Sequence, residues 1–303
     1  MKNPYASCRD YETPRLRLRR VCIEDAPALL ACYGDRRAVA LMNADDCTSD
    51  FLYRTQAEME ACIAFWMAEC EQGAYVRLTV LDRETSEAVG TVEVFGGESG
   101  VLRIDLRRDY ERRDVVAEIL ELAKSRFLDD FDACRLLTKA VPAAKERRAA
   151  LRASGFREIE SFKGYGDYFA FGTDVQKGMA FCGLCCFLCD ENAACGGCKT
   201  EGCKDGASCA IRACCLARGL DGCWACAEFP CGEPMLGKMR VRAFCRFARE
   251  RGERALIGCL ARGARHGVRY HEMGKLTGDY DACADEQAVF RLLEEPDEAR
   301  RDR

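Results

Sequence analysis

The sequence predicts an α+β fold. A sheet domain with flanking helices occupies about residues 1–174, and a small cysteine-rich, metal-binding domain with an arginine-rich helical part occupies 175–303. Three observations lead there. Strand and helix patterns alternate as far as Gly172. Thirteen of the 23 cysteines then crowd between Cys182 and Cys231. An arginine-rich helical pattern follows to the end. A chain of 303 residues has material for two cores.

The first part reads in order. Leu16-Arg17-Leu18-Arg19 alternates apolar and polar, as a strand does. Asp25 and Pro27 open a helical stretch through Ala28, Leu29, Leu30 and Tyr33. Thr55-Gln56-Ala57-Glu58 fits a capping box, and its helix carries Met59, Cys62, Ile63, Trp66, Met67 and Cys70 on one face before Gly73 stops it. Tyr75–Leu81, Ala88–Phe95 and Val101–Leu106 read as consecutive strands. A helix is expected from about Asp114 to Phe127, a strand over Arg135–Val141, and a helix over Ala143–Ser154 that Gly155 ends. Glu158–Phe162 and Tyr168–Phe171 complete the sheet.

The formal net charge of −4, with 49% hydrophobic and 32% charged residues, is ordinary for a globular protein and does not call for nucleic acid or an anionic membrane. Met1 to Thr13 lacks the apolar core of a signal peptide. The most apolar stretch, Ala61 to Ala68, falls far short of the roughly 20 residues that span a bilayer. A cytoplasmic location is therefore expected, with no membrane partner. In that reducing setting, clustered cysteines point to metal or redox chemistry rather than disulfides.

Seven cysteines in the first part (Cys8, Cys22, Cys32, Cys47, Cys62, Cys70 and Cys134) lack paired spacing and read as small buried hydrophobes. The later block is different. Cys182-Gly-Leu-Cys185-Cys186-Phe-Leu-Cys189 interlocks three short intervals, and Cys195-Gly-Gly-Cys198 and Cys223-Trp-Ala-Cys226 are CxxC turns. A CxxC turn sets two sulfurs on one side of a tight loop, and two turns supply the four soft ligands of a tetrahedral zinc. Thirteen thiols suffice for two zinc ions, but the spacing does not assign which cysteines share one. The run Cys182, Cys186, Cys189 is also a spacing that iron–sulfur clusters use. Free redox thiols are a third reading. A fifty-residue segment poor in large apolar groups needs such a cross-link to fold.

The stretch CGLCCFLC…CGGC…CAIRAC…CWACAEFPC resembles a widespread cysteine-rich microbial domain without an assigned function, over about residues 182–294. The resemblance implies Cys182, Cys186, Cys189, Cys195, Cys198, Cys209, Cys214, Cys223, Cys226 and Cys231 as the recurrent, metal-ligating cysteines. Cys185, Cys203 and Cys215 would be extras here.

The element order of residues 12–172, with Thr13-Pro14-Arg15-Leu16-Arg17-Leu18-Arg19, Ala88-Val89-Gly90-Thr91-Val92 and Leu151-Arg-Ala-Ser-Gly155-Phe156-Arg157-Glu158, resembles the GNAT acyltransferases, the kind that acetylates protein N-termini and small amines. The resemblance implies a mixed sheet in which two parallel strands, Val101–Leu106 and Arg135–Val141, splay around acetyl-CoA. It also implies cofactor contacts at Leu106, Glu111, Arg112, Arg113, Asp114, Val115 and Val116, with the pyrophosphate on helix N–H groups. The sequence departs from the family pattern here. Arg112 and Asp114 stand where glycines are expected, Ala144 replaces an asparagine, and Leu151 replaces the tyrosine that often protonates the CoA thiolate. Glu93 and Tyr110 are the remaining candidates for proton transfer.

Lys238 to Arg269 carries Arg240, Arg242, Arg246, Arg249, Arg251, Arg254, Arg262 and Arg265 on an amphipathic pattern, read as a helix with a solvated basic face. Both histidines, His266 and His271, fall in this last part; His271 reads as a surface or capping residue, with metal ligation as the alternative. The combined expectation is an acetyl-CoA-dependent N-acyltransferase with an amine acceptor, small molecule or protein, fused to a structural zinc module. The alternatives are a non-catalytic binding or sensing protein on the same scaffold and a nucleic-acid-binding zinc protein.

Overall fold

The computed structural model describes residues 3–6, 8–189, 195–200 and 202–296. The chain divides into two compact units, Met1–Gly172 and Thr173–Arg303.

In the first unit, the strands are β1 (Tyr11–Glu12), β2 (Leu16–Arg20), β3 (Val76–Asp82), β4 (Ala88–Phe95), β5 (Ser99–Leu106), β6 (Arg135–Lys139), β7 (Arg157–Glu158) and β8 (Tyr168–Gly172). They form one eight-stranded sheet in the order β1-β2-β3-β4-β5-β6-β8-β7. Only β5 and β6 run parallel; the other pairs are antiparallel, so the sheet is mixed. The helices are α1 (Ala26–Tyr33), α2 (Arg36–Val39), α3 (Gln56–Glu71), α4 (Arg113–Leu122), α5 (Leu128–Asp130) and α6 (Lys145–Ala153).

Sequence chemistry accounts for the principal elements. Thr55 caps α3 by accepting the Glu58 N–H, and Glu58 returns the bond to the Thr55 N–H at 3.1 Å. Alternation puts Val76, Leu78 and Val80 of β3 in one core cluster with Val92 and Val94 of β4, Leu102 and Ile104 of β5, and Val116, Ile119 and Leu120 of α4. A second core gathers α1 and α3 through Leu29, Tyr33, Met59, Ile63 and Trp66. Gly90 sits at a close approach of β4 to β5: a Cβ there would lie 2.1 Å from the Asp105 carbonyl oxygen.

Several boundaries differ from the expectation. The helix begun at α4 does not run evenly to Phe127; it passes through a π turn, Ala123–Phe127. The strand expected to reach Phe162 ends at Glu158, and Phe162 instead bridges to Tyr165 in a hairpin tip. Of the scattered cysteines, Cys32, Cys70 and Cys134 are buried and Cys8, Cys22, Cys47 and Cys62 are half-buried.

The second unit carries α7 (Ala210–Ala217), α8 (Met239–Arg251), α9 (Glu253–Arg265) and α10 (Glu286–Glu294). The arginine-rich pattern is two helices, broken at Gly252, whose φ of 92° is open to glycine but strained for other residues. Phe244, Phe247, Leu256, Leu260, Val289 and Leu293 are buried. The arginines are more engaged than a solvated face requires. Arg240 is buried and pairs with Asp281 at 2.8 Å, Arg242 and Arg246 share Glu286, and Arg249 Nε donates to the Trp224 carbonyl. No helix among the described residues is long and apolar enough to cross a membrane.

Candidate functional site

The first unit's distinctive feature is a break in its sheet. The eight-residue strand β5 pairs with β6 only at Ser99↔Arg135, Gly100↔Leu136 and Val101↔Leu137. Beyond Val101 the strands part, while β6 keeps its pairing with β8 along its whole length, from Arg135↔Gly172 to Lys139↔Tyr168. A wedge opens along the outer backbone edge of β5, from Leu102 to Leu106.

One sheet face beside this wedge is polar. Alternation in β3, β4 and β5 aligns two cross-strand rows, Arg77–Glu93–Arg103 and Thr79–Thr91–Asp105. The helices α1 and α3 cover that face, so every one of these side chains is buried. Burial forces mutual pairing. Arg77 Nε donates to Glu93 at 3.0 Å, and Arg103 Nη1 donates to the other Glu93 oxygen at 2.9 Å. Arg77 Nη1 reaches Tyr33 and Thr91 at 3.0 and 3.1 Å, and its guanidinium stacks on Trp66 with 4.0 Å to the ring centroid. Tyr33 donates to Asp105 at 2.9 Å. Burial pushes the Asp105 carboxyl above its usual range despite the nearby Arg77. Asp105 Oδ1 and Arg103 Nε remain without a hydrogen-bond partner.

A loop residue spans the wedge. The Asp45 carbonyl accepts from Arg103 Nη2 of β5 at 2.5 Å, while its carboxylate takes Lys139 Nζ of β6 at 2.6 Å and the Tyr168 hydroxyl of β8 at 3.1 Å. Asn43 donates to the same Tyr168 oxygen at 3.1 Å. Burial raises the Tyr168 hydroxyl to about 12.

The N-terminus of α4 lies on the same connection as β5. Arg112 is its N-cap, in extended conformation and with no side-chain cap, which leaves the first-turn N–H groups available. Arg112, Arg113 and Asp114 are exposed, whereas Val115 and Val116 point into the core and offer only backbone. Hydrogen bonds from Arg112 and Arg15 hold the Asp114 carboxyl down to about 2. Glu111 turns inward, where Arg147 of α6 binds both of its oxygens at 2.8 and 2.6 Å.

Other residues singled out in the sequence fall as follows. Leu106 ends β5 and is buried; Ala144 and Leu151 are buried at α6. Both oxygens of Glu93 are taken by arginines. Tyr110 faces away, donating to Asp82 at 2.8 Å. Sequence reading passed over Asp105, Arg103, Arg77, Asp45 and Tyr168. A signal was present in the charges at alternate positions of apolar strands, but it reads as a solvent face until the covering helices are known.

In the second unit no cysteine among the described residues forms a disulfide. The thiols fall into two neighbourhoods. In the first, the Cys198 N–H donates to Cys186 Sγ. The N–H groups of Lys204 and Gly197, together with the Cys203 thiol, donate to Cys195 and hold it below the usual thiol range. Gly197 has φ 110°, and a Cβ there would meet the Lys177 carbonyl oxygen at 2.7 Å. In the second, Cys214, Cys215, Cys223, Cys226 and Cys231 line a cavity of about 320 Å³. The Cys223 thiol donates to Cys215. Cys209 accepts the Arg212 N–H at the start of α7. Cys182 is pushed up to about 11 by burial. Among the described residues, no three ligating side chains already converge on a common point. His271 lies against the Tyr270 ring, with 4.7 Å between centroids.

Residues 15–157 match the family described as an acetyltransferase (GNAT) domain, just under half of the chain. Residues 190–235 match one described as a protein of unknown function (DUF3795), a narrower span than the resemblance read from sequence. Similar solved structures include a GNAT-family acetyltransferase from Bacillus anthracis, at 12% identity, covering 54% of this chain and 98% of that one with a TM-score of 0.43. The ribosomal-protein-S5-alanine acetyltransferase from Vibrio fischeri matches at 14% identity over 55% of this chain and 97% of that one, TM-score 0.42. RimJ of Mycobacterium smegmatis in complex with CoA-disulfide matches at 16% identity over 52% and 81%, TM-score 0.44. No curated protein matches the chain.

Proposed function

We propose that the chain, whose residues 15–157 match the acetyltransferase (GNAT) family, is an acetyl-CoA-dependent N-acyltransferase whose acceptor is an amine, on a small molecule or a protein N-terminus. The observation that carries this reading is the wedge between β5 and β6: past Val101, β5 stays paired with β4 on one side, but its other edge has no strand partner among the described residues. An extended amide-bearing arm can pair with such a backbone edge as a strand would.

The donor's pyrophosphate would rest on the first-turn N–H groups of α4, with Arg112 and Arg113 beside it. Asp114 does not oppose this, because Arg15 and Arg112 already neutralise it. Acyl transfer forms a C–N bond to the amine and breaks the C–S bond. The amine gives up a proton and the departing thiolate gains one. The Asn43–Tyr168–Asp45–Lys139 cluster bridges the wedge and is the polar group placed to orient the amine and pass these protons. Glu93 acts on it indirectly by fixing Arg103.

The cysteine module of the second unit is read as structural zinc. Its donor set is soft thiols, and two of them, Cys186 and Cys195, accept backbone N–H groups.

The test is calorimetric titration of metal-replete protein with acetyl-CoA, followed by turnover with radiolabelled acetyl-CoA and a panel of amines and peptides. Saturable binding and acetyl transfer are expected, with Asp45→Asn lowering turnover more than binding. Absence of acetyl-CoA binding would sink the reading. One observation favours a second reading, a non-catalytic binding protein: Glu93 and Tyr110 are both tied to other side chains. It predicts binding without transfer.

A further inference from the structure

The thiols of the second unit separate in space as they do not in sequence. Cys214 and Cys215 come from α7, Cys223 and Cys226 from the following turn, and Cys231 from the loop after Phe229-Pro230. All five line one cavity, together with Ile211, Leu220 and Leu236. The thiols of the Cys186–Cys203 segment do not line it; they contact one another instead.

We propose that Cys214, Cys223, Cys226 and Cys231 close on one zinc ion inside this cavity, as a site independent of the thiols in the Cys182–Cys203 segment. This deepens, and rests on, the reading of the module as zinc-binding. Three features support it. Four sulfurs from three backbone segments surround a space large enough for an ion at Zn–S distances of about 2.3 Å. Ile211, Leu220 and Leu236 give the cavity an apolar wall behind the sulfurs. A cation stands ready for the surplus charge: four thiolates on a divalent ion leave a net −2, and Arg218 Nη1 already donates to Cys226 Sγ at 3.7 Å while pairing with Glu228 at 3.1 Å. Arg249 fixes the same turn by donating to the Trp224 and Cys226 carbonyls. No three of these sulfurs converge on one point, so binding requires them to close on the ion. It releases one proton from each thiol to solvent. Cys215 lines the same cavity and accepts the Cys223 thiol; it is left outside the ligand set because the resemblance counts it as an extra cysteine of this chain.

The experiment counts zinc in the full chain, purified reduced after zinc supplementation, beside two double variants. Two ions are expected in the unaltered chain. Cys223→Ser with Cys226→Ser should retain one, and Cys195→Ser with Cys198→Ser should retain the other. A variant that loses both ions overturns the independence of the sites, as does one that loses neither. If misfolding empties a variant, stepwise chelation of the unaltered chain decides, read by thiol alkylation and mass spectrometry. Cys214, Cys223, Cys226 and Cys231 should become reactive together, in a step distinct from Cys195 and Cys198. A single common step overturns the proposal. An unaltered chain that takes up no zinc overturns the module reading itself, so the two failures are distinguishable.

Discussion

The two units solve the same problem, holding a fold together, with opposite materials. Residues 1–172 bury a continuous sheet, one face apolar against α4 and the other polar and internally paired beneath α1 and α3. The second unit buries α8, α9 and α10, but the described residues from Cys182 to Cys231 offer, apart from α7, mainly short turns and small residues. The difference teaches that buried apolar side chains, not length, decide how well a segment can hold its own fold, which is why the proposed zinc matters only to the second unit.

Three perturbations would break or sharpen that contrast. The largest effect is expected from a strong chelator under reducing conditions. Residues 182–231 should lose protection from proteolysis and hydrogen exchange, while the first unit keeps its thermal transition. Simultaneous loss of both would end the contrast. Next comes Arg77→Met, which leaves Glu93 and Asp105 buried beside a lost cation. It should cost about 3–5 kcal/mol by denaturant unfolding, with zinc content unchanged. An unaltered midpoint would mean that the polar rows contribute little. Smaller is Thr55→Ala, which removes the cap of α3 and should cost about 1 kcal/mol, again read only in the first unit.

Acid offers a finer probe. Asp114 is held down to about 2 by Arg112 and Arg15. Its stabilising contribution is present above the ordinary aspartate range and fades as pH falls through about 2. Because the group is exposed, the change in stability should be small. Its titration by carboxyl NMR should move upward in Arg15→Gln. A carboxyl that titrates normally in the unaltered chain would remove the case that Asp114 is compensated.

Much of the first unit was legible from local chemistry. The Thr55–Glu58 box, the β4 boundaries and the sheet's central strands follow from propensity and alternation, and the cysteine block announced itself by density. The splay was accessible only through resemblance, because no local pattern in Val101–Leu106 says where a partner strand leaves. The polar rows were passed over for a different reason. Alternating charges in a strand look the same whether water or a helix covers them. Asp45 was invisible because its role depends on Arg103, Lys139 and Tyr168, which lie up to 123 residues away along the chain. The break at Gly252 was missed because amphipathic periodicity continues on both sides of it.

The buried rows of Arg77, Glu93, Arg103 and Asp105 carry a calorimetric consequence. Apolar surface raises the heat capacity of unfolding when exposed, and polar surface lowers it. A sheet that hides charge on one face should therefore unfold with a smaller heat-capacity increment than one apolar on both. Its stability curve is correspondingly flatter, and the cost of keeping those ions from water shrinks on warming.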